Sequence, residues 1–181
     1  FAEFIRRSGI EVPGMARGWA RLDRLVIELG ARFPELFFVF VLGGEDPSDH
    51  AQRLALAMRD DLHPLVKRMS QIHITEEARH LCFARSFLRE HVPRLSPQKR
   101  AVLAFAAPGI LRLTAELMLR PSPSLVREFD IPPAVVEEAF TKNAAYRALT
   151  MESLAKVREL MDELGLVTGR TRRVWRALGA A

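Results

Sequence analysis

The chain has 181 residues, 49% of them apolar and 27% charged, with a mean hydropathy of +0.01. This is the composition of a globular protein with a packed core, not of a disordered or fibrous one, and the length suits a single helical domain over residues 1–181. The net charge is +5, from 27 Lys and Arg against 22 Asp and Glu, and the pI is near 10.1. Basic residues are mixed with acids along the chain, and the one dense group is Arg170, Arg172, Arg173 and Arg176, so nucleic acid is not an expected partner. The longest uncharged stretches, Phe37 to Gly44 and Ala101 to Leu111, fall short of the roughly 18 residues of a membrane-spanning helix, and no membrane segment is expected. The single cysteine, Cys82, leaves no intramolecular disulfide and no four-thiolate zinc site, which makes the cytoplasm the expected compartment. The chain opens at Phe1 with neither Met nor a signal pattern, and reads as the C-terminal portion of a longer polypeptide.

No apolar run alternates as a strand does, whereas helical periodicity recurs throughout, so the class is all-α. The first clear helix covers residues 18–32, with Trp19, Leu22, Leu25, Val26 and Leu29 on one side and Pro34 limiting it. A second runs from about Glu35 to Arg59, with a kink expected at Gly43-Gly44 and Pro47. Asp60-Asp61-Leu62-His63-Pro64 is a turn, and a third helix spans Pro64 to His91, ended by Pro93. Ser96-Pro97 opens a helix to residue 119, interrupted at Pro108-Gly109, and Pro121-Ser122-Pro123-Ser124 is a loop. Asp130-Ile131-Pro132-Pro133 starts a long helical stretch through Tyr146, Leu149, Leu154 and Leu160 to Gly165. A short basic helix around Val174 follows.

The third helix carries His73-Ile74-Thr75-Glu76-Glu77-Ala78-Arg79-His80. Spacings of four and three put His73, Glu77 and His80 on one face. The same stripe reads Val66, Met69, His73, Glu77, His80, Ala84, Phe87, an apolar seam with three polar residues in its middle. Burying a carboxylate and two imidazoles there is costly without a partner, and one metal cation would neutralise the carboxylate and use both imidazole lone pairs. If the turn centres on Asp61, antiparallel helices bring Glu45 level with Glu77, because residues 45 and 77 are equidistant from it. Asp46 and Asp49 are fallback ligands, and Asp49 is equally suited to accept a hydrogen bond that orients a histidine. The competing reading is a metal-free polar network.

A carboxylate on one helix and Glu-x-x-His on the next make half of a di-iron carboxylate site in a four-helix bundle. His50, His63 and His91 have no glutamate three residues before them, so the chain holds no second Glu-x-x-His.

With its added histidine four residues before Glu77, the motif resembles the para-aminobenzoate N-oxygenase (AurF-like) family of ferritin-like di-iron oxygenases. The likeness runs from Gly43-Gly44-Glu45-Asp46-Pro47 through the His73 to His80 segment to Leu164-Gly165-Leu166-Val167 and Arg173-Val174-Trp175-Arg176-Ala177-Leu178-Gly179. It implies a ferritin-like bundle in which Glu45, His73, Glu77 and His80 are metal ligands within a three-histidine, four-carboxylate set. The other three ligands would lie upstream of Phe1 or on a second chain. It implies two iron ions, with manganese as an alternative, O₂ as co-substrate, an external electron donor, a homodimer, and oxidation of a small, aromatic amine at nitrogen. C-hydroxylation, a metal-binding scaffold without turnover, and a basic helical nucleic-acid-binding regulator are the competing functions. Cys82, about 200° round the helix from His80, is expected to be a buried hydrophobe. Tyr146 is expected to pack or to make a surface hydrogen bond, and the two tryptophans, Trp19 and Trp175, to be core or interface anchors.

Overall fold

The computed structural model describes residues 2–9, 17–58 and 61–177, and among these there is no strand. The described residues fall into two units, Phe1–Pro34 and Glu35–Ala181. The first holds helices α1 (Ala2–Ser8) and α2 (Arg17–Arg32). The side chains of Trp19, Leu22 and Leu25 lie outside the described residues. Of their predicted apolar side, Val26 is half-buried and Leu29 is exposed.

The second unit carries the motif. Helix α3 (Pro34–Met58) runs unbroken through Gly43, Gly44 and Pro47; Arg59 and Asp60, at the predicted helix end and turn, lie outside the described residues. Helix α4 (Pro64–His91) begins with Pro64 at its first position, and His63 serves as its N-cap, Nδ1 accepting from the Leu65 N–H at 3.2 Å. It ends in a 3₁₀ turn at Val92–Arg94, where Pro93 stops the ladder. Helix α5 (Pro97–Leu119) is capped by the Ser96 hydroxyl. It passes through Pro108 without the expected interruption. A proline inside a helix removes one N–H and crowds the carbonyl four residues back, yet α5 continues here with the buried ring in a row with Leu103, Ala104, Ala107 and Leu111.

The stretch Pro97–Glu128 reaches a mean hydropathy of 1.6 over 18 residues, long and apolar enough by composition to cross a membrane, contrary to the expectation from uncharged runs alone. Its 0–5% exposed residues Leu103, Ala104, Ala107, Leu111 and Ala115 belong to the core, while Val102, Phe105, Leu113, Leu117 and Met118 on its other sides are exposed.

Beyond it come α6 (Pro123–Glu128), capped by Ser122, and α7 (Pro133–Val136). A π-helical turn at Glu137–Thr141 follows, with α8 (Ala144–Ser153) and α9 (Ala155–Glu163) beyond it. The predicted continuous stretch is therefore broken at Asn143, whose side chain caps α8 by accepting from the Ala145 N–H at 2.8 Å. Asparagine competes for backbone donors, which favours a new start over propagation. Gly165, at φ +64°, closes α9 in a Schellman motif: Leu166 N–H donates to Met161 O (2.9 Å) and Gly165 N–H to Asp162 O (2.8 Å). Helix α10 (Arg172–Ala177) buries Trp175 completely; Leu178 and Gly179 lie outside the described residues.

The core is built from Val39 and Leu42 of α3, Ala84 and Leu88 of α4, the inner row of α5, and Leu154, Val157, Leu160, Met161, Leu166 and Trp175. Two contacts position α3 for the site. Phe38 packs edge-on against Phe83 and lies 4.5 Å from the Phe87 ring. Gly43 lets α3 approach α5 so closely that an added Cβ there would overlap Thr114 and Leu111.

Candidate metal centre

The α3–α4 hairpin brings Glu45, Glu77 and His80 together, with one ligand atom of each within 4.8 Å of the others. His80 Nδ1 stands 3.2 Å from Glu77 Oε2 and 3.8 Å from Glu45 Oε1. Glu77 is largely buried and Glu45 half-buried, and Glu45 Oε2 is inaccessible without a hydrogen-bond partner among the described residues. Burial, with the Glu77 carboxylate beside it, pushes the Glu45 carboxyl up to about 7. Two carboxylates forced together out of water either share a proton or bind a cation.

His73 stands beside this group. Its Nε2 lies 3.3 Å from Glu77 Oε1, on the opposite side of that carboxylate from His80, and Nδ1 meets Gln52 Nε2 at 3.0 Å. Gln52 Oε1 is buried with no partner among the described residues. Amide orientation is an assignment: turning the carboxamide over would let Oε1 accept from Nδ1–H, fixing the tautomer whose Nε2 lone pair is free for a metal. In that orientation Gln52 would take the role expected of Asp49. The hairpin geometry that pairs residues 45 and 77 also pairs 52 with 73 to within one helical turn, which is the signal by which Gln52 is legible.

Asp46 and Asp49 do not join the cluster. The Asp46 carboxylate forms a close ion pair with Arg85 of α4, both side chains mostly buried, and burial raises the Asp46 carboxyl against the lowering effect of Arg85. Asp49 accepts from Arg53 Nε at 2.8 Å. Successive residues of a helix point about 100° apart, so beside an inward Glu45 the Asp46 carboxylate turns toward another part of α4.

The predicted seam is buried only in part. Ala84 is fully buried, but Val66 (47%), Met69 (36%), His73 and His80 are exposed. Leu65 and Ile72 extend this apolar face outward. The sequence pattern anticipates cover for a face that the described residues leave open. Cys82 is also exposed, not buried, because its side of α4 faces away from the core.

A family model described as P-aminobenzoate N-oxygenase AurF matches residues 1–165. An uncharacterised protein of Mycobacterium tuberculosis (strain CDC 1551 / Oshkosh) is 36% identical over 176 residues, 97% of this chain and 52% of that protein. Uncharacterised proteins of Mycobacterium bovis (strain ATCC BAA-935 / AF2122/97) and Mycobacterium tuberculosis (strain ATCC 25618 / H37Rv) are each 35% identical over the same shares. The chain spans about half the length of the curated relatives it matches. No solved structure matches it.

Proposed function

The chain belongs to the P-aminobenzoate N-oxygenase AurF family, whose fold is ferritin-like and helical, and from that premise we propose that it supplies one half of the metal site of a non-haem di-iron oxygenase that oxidises a small aromatic amine at nitrogen. The observation that carries the reading is the convergence of Glu45, Glu77 and His80 within 4.8 Å around an unpartnered buried carboxylate oxygen. This donor set fits iron or manganese: hard carboxylate oxygens with imidazole nitrogen, and crowded negative charge that a cation relieves. Glu45, Glu77, His80 and His73 would hold the metal, with Glu77 lying between the two histidines. The family's set has further ligands, which a second copy of this chain is one way to supply.

When bound, a pair of iron ions supplies reductive activation of O₂, using electrons from an external donor. The chain's own residues prepare the site. Glu45 gives up the proton it holds near neutrality, Gln52 orients His73, and the Asp46–Arg85 pair holds α3 against α4.

The test is iron content after anaerobic Fe(II) loading, followed by product analysis with aromatic amines. Iron retained by the wild-type chain, lost in Glu77→Gln and His80→Ala, and accompanied by hydroxylamine or nitro products is the expected result. Iron content unchanged in both variants would remove the ligand assignment. Iron bound through these residues with every amine left intact would favour the scaffold reading.

A further inference from the structure

A cavity of about 230 Å³, lined by charged side chains together with a larger apolar area, opens between the C-terminal end of α5 and the start of α8. It shares no residue with the metal cluster and stands whether or not that cluster binds metal. Three guanidinium groups border it, from Arg112, Arg120 and Arg147, against one carboxylate, Glu116. That carboxylate is committed to Arg112, whose Nε donates to it at 3.0 Å.

The other two arginines meet only neutral groups among the described residues. Arg120 Nη2 reaches Thr141 Oγ1 at 3.4 Å and its guanidinium lies 6.0 Å from the centre of the Phe140 ring. Arg147 Nη1 donates to the Thr141 carbonyl at 3.1 Å. Both residues are exposed at the cavity's edge, and each keeps several N–H donors and a full charge without a carboxylate, an arrangement matched to an oxyanion.

One further observation points the same way. The wall carrying Phe140 and Thr141 is the π-helical turn Glu137–Thr141, closed by Lys142 N–H donating to Glu137 O at 2.9 Å. Turns of this kind collect where function is built, because the extra residue re-aims side chains.

We propose that this cavity binds a small dianionic oxyanion of the phosphate class, held by Arg120 and Arg147. A dianion balances the two uncompensated charges, whereas a monocarboxylate leaves one over. The volume is below the roughly 300 Å³ at which pockets begin to hold drug-sized ligands, so the ligand is a phosphate group with at most a small substituent.

Calorimetric titration of the full chain with inorganic phosphate, at low salt and pH 8, tests the assignment. One saturable site per chain is expected. Arg120→Gln and Arg147→Gln should each weaken it by about tenfold or more, the range for losing a charged hydrogen bond to the ligand. Arg94→Gln, which removes an exposed arginine paired with Glu90, should leave the affinity unchanged, and benzoate should bind at least about tenfold more weakly than phosphate. Melting curves establish that each variant is folded, and Arg120→Gln decides the question if Arg147→Gln does not fold. Absence of saturable binding, an equal loss in Arg94→Gln, or benzoate binding tighter than phosphate would each overturn the proposal.

Discussion

Gly43 and Gly44 are neighbours in one helix, yet replacing each with alanine should move stability in opposite directions. At Gly43 a Cβ would overlap Thr114 Oγ1 and stand 2.9 Å from Leu111 Cδ2 and 3.3 Å from the Leu111 Cα. Thr114 cannot turn away freely, because it is 1% exposed and its hydroxyl donates to the Ile110 carbonyl at 2.8 Å. Relief requires α3 to move off α5. Overpacking costs about 1–3 kcal/mol and a lost buried hydrogen bond about 1, against a gain of about 1 from removing glycine from a helix interior. The net loss is about 1–3 kcal/mol. At Gly44 the nearest atom is Met118 Cε at 3.7 Å, ordinary contact with the end of a flexible side chain. Alanine there should stabilise by about 0.5–1 kcal/mol. In a chain of this size 1 kcal/mol shifts Tm by about 2–4 °C, so thermal unfolding followed by helical circular dichroism separates the two. A shift of the same sign in both variants would refute the close approach of α3 to α5.

The Glu45 carboxyl, raised from 4.5 to about 7, binds a proton on folding between those values. Stability of the metal-free chain should therefore fall as pH rises through that window, by at most about 3 kcal/mol and, with solvent access to the pair, about 1–2. Glu45→Gln should flatten the profile in urea titrations at several pH values; an unchanged slope would place the titration elsewhere. Metal uptake must displace the same proton, so affinity should increase from pH 6 to 8 in the wild type, and an affinity independent of pH would count against Glu45 as a ligand. Asp46→Ala leaves the Arg85 guanidinium, 19% exposed, without its partner and should destabilise by about 3 kcal/mol. Asp46→Leu with Arg85→Met should recover much of that in urea unfolding, and a double variant weaker than the single would refute the pairing.

The bounds of α4 were legible because prolines stand at both ends and His63 can cap the first turn. The meeting of Glu45 with Glu77 and His80 followed from hairpin geometry, since a short turn leaves two antiparallel helices little choice of register. What pattern alone missed was local competition. Pro108 looks like a breaker until its burial within α5 is known, and Asn143 looks like an interior residue until its side chain is seen capping α8. Asp46 and Asp49 share their acidity with Glu45, but Arg85 and Arg53 had already claimed them. Periodicity reports which face is apolar, not which residues cover it, so the exposure of Val66 and Met69 was invisible in the sequence.

His73, Glu77 and His80 ride on one unbroken helix, so their mutual spacing is set by its pitch and survives any movement of its neighbours. Glu45 belongs to a different rod. The candidate site is mechanically a vice with one fixed jaw and one sliding jaw, and the sliding jaw is gripped immediately on either side of Glu45. Gly43 seats it on α5, and Asp46 ties it to α4. With the backbone held at both of those points, adjustment of the gap falls to side-chain torsions, a motion of carboxylates and imidazoles and not of a helix.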